Sequence, residues 1–119
     1  MLKLIVGTKG SGKTKTMIDM IDKAVKTTSG NIVVRLVDVD EYGVAGADML
    51  YGFVAGVLAG NYDITELFLD GILRITDHDM AAAAKVLNAI DKITSNIEVV
   101  VTVSANAADL PEDLKKFVI

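Results

Sequence analysis

Apolar positions along the chain fall into two alternating patterns: short unbroken runs, and longer stretches where apolar residues recur at three-and-four spacing, with Gly, Asn or Asp at the junctions. Leu2 to Val6 reads as a first strand. From about Lys13, the residues Met17, Ile18, Ile21, Ala24 and Val25 mark the face of a helix that stops at Ser29-Gly30. Ile32 to Val37 reads as a second strand, followed by a helix from Asp48, its expected N-cap, to Ala59, where Gly60-Asn61 ends it. Glu66 to Leu69 forms a third strand ahead of a helix expected to be capped by Asp77, with the apolar line Ala83, Val86, Leu87, Ile90 and Ile93. Val99 to Val103 is the fourth strand. Pro111, tolerated in a first helical turn, opens a last short helix expected to run almost to Ile119.

Strands separated by helices of this length pair in parallel through right-handed crossovers, because a tight turn cannot join parallel neighbours. The expected fold class is α/β: a single three-layer domain over residues 1–119, with a parallel sheet of four strands and helices on both faces. Arg35 breaks the apolar run of the second strand and places it at a sheet edge, whereas the other three strands read as buried. The expected strand order is two-three-one-four, with the first strand inside.

Composition narrows the chemistry. At 51% hydrophobic and 24% charged, the chain has the mix of a folded domain. A net charge of -4 and pI ≈ 4.8 lend no support, in the overall balance, to an electrostatic grip on nucleic acid or anionic lipid, and leave only a local basic patch open. Cysteine is absent and His78 is the only imidazole, which removes disulfides, thiolate catalysis and a His-rich zinc site. The longest uncharged stretch, Met49 to Tyr62, has 14 residues, too few for a membrane-spanning helix. No secretory signal is visible at the N-terminus, so the expected location is the cytoplasm.

Between the first strand and first helix lies Gly7-Thr8-Lys9-Gly10-Ser11-Gly12-Lys13-Thr14, which fits G-x-x-x-x-G-K-[ST] at every fixed position. Glycines let successive amides turn inward, and the helix start beyond adds orphan N–H donors and partial positive charge. Such a loop is an anion cradle. Lys13 can reach β and γ phosphates as a point charge, and the Thr14 hydroxyl is placed for Mg²⁺. The plain alternative is a glycine-rich turn that caps a helix.

On this loop, and on the apolar strand Leu67-Phe68-Leu69-Asp70, the chain resembles the P-loop NTPase superfamily. The resemblance implies a parallel sheet, a Mg²⁺-nucleoside triphosphate ligand and often hydrolysis or phosphoryl transfer. In wider pattern, through Leu4 to Lys15, Tyr51-Gly-Phe, Asn61-Tyr-Asp-Ile and Leu69-Asp-Gly, it is similar to short bacterial P-loop proteins, some labelled twitching-motility or pilus-retraction ATPases. Members of that group carry an additional segment between the stretches matching Val34 and Arg35. This chain therefore resembles a shortened form.

Asp70 resembles the Walker B aspartate, which holds Mg²⁺ from the same sheet edge as the phosphate loop; otherwise it is a turn residue before Gly71. Hydrolytic members often place a glutamate directly after that aspartate, and here Gly71 stands there. Asp38, Asp40 and Glu41 are either a replacement base or acids that solvate a loop, and Ser104 and Asn106 either sense γ-phosphate or cap a turn. Arg74 and Arg35 are the only arginines available to stabilise transferring phosphate, and His78 reads as a solvated first-turn residue. Asn106 to Asp109 has the spacing of the guanine-reading N-K-x-D element, but Ala107 replaces lysine, and Leu73 stands where a D-x-x-G switch needs glycine. Adenine is favoured over guanine by default.

The helix over 48–59 is apolar all round, with Gly52, Gly56 and Gly60 on one shallow face, so burial beyond its sheet side is expected: either a homo-oligomer contact or a wrap by the sheet itself. The expected function is binding of Mg²⁺-ATP, GTP being the second choice, with weak or partner-stimulated hydrolysis and Lys13 and Asp70 as the catalytic pair. Its rivals are a non-enzymatic nucleotide-binding or assembly module and, third, a small-molecule kinase, which the lack of an arginine-rich lid disfavours.

Overall fold

The structure, a computed structural model, describes residues 1–27 and 29–119, with Val37 and Asp40 described by backbone alone. Four strands, β1 (Leu2–Gly7), β2 (Asn31–Arg35), β3 (Glu66–Asp70) and β4 (Glu98–Ser104), form one parallel sheet in the order β1-β4-β3-β2. The helices are α1 (Lys13–Thr27), α2 (Leu36–Asp40), α3 (Ala47–Ala59), α4 (Ile72–Ile75), α5 (Met80–Ile93) and α6 (Glu112–Lys115), with one 3₁₀ turn at Ala107–Asp109.

Strand alternation sorts the core into two layers. Leu2, Leu4, Leu67, Leu69, Val99, Val101 and Val103 face one way, packed in one buried cluster with Leu50 and Val54 of α3, Val86, Leu87 and Ile90 of α5, and Leu114 of α6. Ile5, Phe68 and Val100 face the other, against Met17, Met20, Ile21 and Ala24 of α1. The sheet is thus covered on both faces, by several helices on one side and by α1 on the other. Among the described residues no helix is long and apolar enough to cross a membrane.

The strand order corrects the expectation of two-three-one-four. β2 is at an edge, as Arg35 foretold, but β1 lies near the other edge and β4 separates it from β3. The physical reason is burial: Val99, Val100, Val101, Thr102 and Val103 are all within 1% of full burial, which requires neighbours on both sides, whereas β1 carries the half-buried Lys3. Lys3 pairs with Glu98 at the amino end of the sheet. Beyond β1 the chain returns after α6: Leu4 N donates to Phe117 O at 2.8 Å and Ile119 N to Leu4 O at 3.0 Å, giving a single parallel bridge between Leu4 and Val118. The last helix therefore ends at Lys115 and does not run toward Ile119.

Several local expectations also change. The second strand stops at Arg35, and Leu36, Val37 and Asp38 open α2, because Leu36 and Val39 bury their side chains only in a helical turn. Gly46 is the N-cap of α3, with Asp48 inside its first turn, where a carboxylate suits the helix dipole. Asp79, not Asp77, caps α5, its Oδ1 accepting from Ala82 N at 3.1 Å. Asp77 and His78 instead have φ of 52° and 59°, because α4 intervenes and closes through His78 N to Leu73 O at 2.8 Å, a six-to-one helix-ending bond. Ile18 and Val25 of α1, and Ile93 of α5, are exposed, so the buried stripe of α1 is narrower than its apolar pattern.

Candidate functional site

All four strands are parallel, so Gly7, Ser104, Asp70 and Arg35 end on the same sheet edge. From Gly7 the chain makes a tight loop before α1. Ser11 N donates to Thr8 O at 3.0 Å, and Gly10 and Gly12 have φ of 82° and 94°, a region that L side chains avoid. The loop folds back over its own start, so that a methyl group on Gly7 would overlap Ser11 Oγ. The segment is a turn and not an extended run.

Lys13 is half-buried and donates from Nζ to Thr8 O at 3.1 Å, the same carbonyl that receives Ser11 N. Two of the three ammonium hydrogens remain for an anion. At the helix start, Thr16 anchors on Gly12 O through both its amide, at 3.0 Å, and its hydroxyl, at 3.1 Å. The amides of Lys13 and Thr14 precede the first intrahelical acceptor, as at any helix N-terminus. Thr8, Lys9, Gly10, Ser11, Gly12 and Thr14 are exposed, and beyond the adjoining residues no heavy atom of the described residues lies within 4 Å of where a Cβ would stand on Gly10 or Gly12. Donors, a cation and open space therefore coincide, and these residues have the chemistry to hold a phosphate chain. A cavity of about 350 Å³ opens beside them, lined by Ile5, Val6, Ser11, Gly12, Lys13, Thr16 and Ile119.

Asp70 is half-buried at the end of β3. Its Oδ1 accepts from Thr102 Oγ1 at 2.5 Å, and the same hydroxyl accepts from Gly71 N at 2.8 Å. Arg35 is the register partner of Asp70 on β2, but its guanidinium turns to Asp38 at 3.9 Å. Among the described residues Asp70 has no ion-pair partner. With β4 between them, β1 and β3 are two strand spacings apart, roughly 10 Å. Thr14 stands at the start of α1, which packs over Ile5, Val100 and Phe68 of all three strands, so a cation held by its hydroxyl and by Asp70 would lie between the helix start and the end of β3, directly or through water.

The remaining candidates disperse. Asp38 and Glu41 are exposed at and beyond α2, which follows the edge strand β2, with β3 and β4 between that strand and β1; the side chain of Asp40 lies outside the described residues. Ser104, exposed, is the register partner of Gly7 and so the nearest polar strand end to the loop. Asn106 and Asp109 are exposed, joined through Asp109 N to Asn106 O at 2.9 Å. Arg74 lies on α4, and His78 is exposed in its left-handed turn. Sequence reasoning passed over Thr102, although a single hydroxyl inside a run of four valines was a legible signal.

Comparison with known proteins adds no relative: no family model, no curated protein and no solved structure matches the chain.

Proposed function

We propose that the chain binds a Mg²⁺-nucleoside triphosphate, with ATP the first choice and GTP the second, and hydrolyses it slowly unless a partner supplies missing groups. The observation that carries this reading is the loop itself. The residues of G-x-x-x-x-G-K-[ST] join β1 to α1 in a closed turn, with left-handed glycines and the Lys13 ammonium drawn across its mouth. In this reading the loop amides and Lys13 bind phosphate oxygens, while Thr14 and Asp70 hold the cation. Mg²⁺, when bound, neutralises charge that develops on the transferred phosphate. Gly71 leaves no carboxylate directly after Asp70 to orient water, hence the low unaided rate. The resemblance to short bacterial P-loop proteins rests on the same motifs.

Single-turnover hydrolysis of Mg²⁺-ATP by the wild type and by Lys13→Ala tests the enzymatic half. A slow rate that disappears in the variant supports it. ATP binding with hydrolysis no faster than buffer leaves the second reading, a nucleotide-binding module that self-associates. That reading is favoured by α3, whose Met49, Gly52 and Gly56 are exposed. A nucleotide-dependent change in sedimentation is its test.

A further inference from the structure

On the face of the sheet covered by α1, Thr102 lies in one row with Ile5 and, on the next strand, Asp70. It is 1% exposed, flanked in its strand by Val99, Val100, Val101 and Val103. Valine has the same shape, suits a strand equally well and carries no polar atom, so packing alone would select it here. A buried hydroxyl costs about 1–3 kcal/mol unless its hydrogen-bonding capacity is met. Here both capacities are met, and by consecutive residues: the proton goes to Asp70 Oδ1 at 2.5 Å, and a lone pair receives Gly71 N at 2.8 Å.

The direction of the proton is fixed by this arrangement. The lone pair held by the rigid Gly71 amide leaves the O–H free to rotate only toward the carboxylate, so the carboxylate is gripped through Oδ1. Among the described residues Oδ2 has neither a hydrogen-bond partner nor an ion-pair partner. A carboxylate held through one oxygen leaves the other open to an ion. Ligating carboxylates are commonly held by such outer hydrogen bonds, whose loss costs about 10–100-fold in metal affinity.

We propose that Thr102 is a positioning residue for the divalent cation, holding Asp70 by Oδ1 so that Oδ2 is presented to the ion bound with the triphosphate. The proposal rests on the reading of Gly7–Thr14 and Asp70 as a Mg²⁺-nucleotide site. Thr102 touches neither phosphate nor metal and acts through Asp70 alone.

The test is calorimetric titration of ATP in Mg²⁺ and in EDTA, on the wild type, Thr102→Val and Thr102→Ser, with hydrogen exchange of the Gly71 amide followed by NMR. Thr102→Val is expected to keep the affinity for ATP measured in EDTA, to lose about 10–100-fold of the gain that Mg²⁺ confers, and to speed exchange at Gly71. Thr102→Ser, which keeps the hydroxyl, restores most of the gain. A full Mg²⁺ gain in Thr102→Val overturns the proposal, as does an equal loss in both buffers, which would mark a merely structural role. Should the valine variant not fold, Thr102→Ala against Thr102→Ser makes the same comparison. A wild type that binds no ATP in either buffer overturns the reading of the site itself, whereas failure of the Thr102 proposal is seen only in variants whose wild type binds normally.

Discussion

Gly7 and Ser104 are register partners at the carboxyl ends of β1 and β4, so the strand that ends in Ser104 stands between β1, which leads into the Gly7–Thr14 loop, and β3, which ends in Asp70. Loop and carboxylate share an edge but not a neighbouring strand. A cation shared by Asp70 and the phosphates would stand between two sets of negative oxygens, so without it the carboxylate opposes the phosphates. Asp70→Asn is expected to keep or raise ATP affinity in EDTA while losing at least tenfold of the Mg²⁺-dependent gain. Calorimetry in the two buffers measures both.

Glycines in this chain serve two purposes, and alanine substitution separates them. Gly12 has φ 94°, where an L side chain is strained, so Gly12→Ala should cost about 1–3 kcal/mol. Gly52 lies inside α3 with open space around its would-be Cβ, so Gly52→Ala should stabilise by about 0.5–1 kcal/mol. Urea unfolding of the two variants should shift the midpoint in opposite directions.

The turn between α4 and α5 holds two non-glycine residues in left-handed conformation, Asp77 and His78. Relief of about 1–2 kcal/mol of strain, less the entropy that glycine adds to the unfolded chain, leaves His78→Gly more stable than wild type by roughly 0.5–1 kcal/mol. One residue on, Asp79→Ala removes the cap bond to Ala82 N and should cost about 1 kcal/mol. Chemical denaturation reads both.

Leu114 is fully buried and ties α6, and with it the return of the chain beside Leu4, to the core. Leu114→Ala is expected to cost about 2–5 kcal/mol. Hydrogen exchange at Leu4, whose amide bonds to Phe117 O, should rise more than that at Val101 in the sheet centre.

The legible parts of the fold were those written in local pattern. The four strands, α1, α3 and α5 follow from periodicity, and Arg35 marks β2 as an edge. The order of the other strands was not legible, because β1, β3 and β4 all read as apolar runs and only Lys3 distinguishes the strand that lacks full burial. The shift of the α5 cap from Asp77 to Asp79 was hidden for a different reason: either carboxylate can cap, and the choice depends on where α4 closes. At the site, the loop announces itself in eight consecutive residues, whereas the grip of Thr102 on Asp70 joins residues 32 apart in sequence and exists only once β4 lies beside β3.

The most direct measurement is calorimetric titration of the wild-type chain and of Lys13→Ala with ATP in Mg²⁺. Saturable binding at one site by the wild type, lost or weakened at least about a hundredfold when the ammonium group is removed, is the predicted result. Absence of binding by the wild type, or equal binding by both chains, would contradict the account.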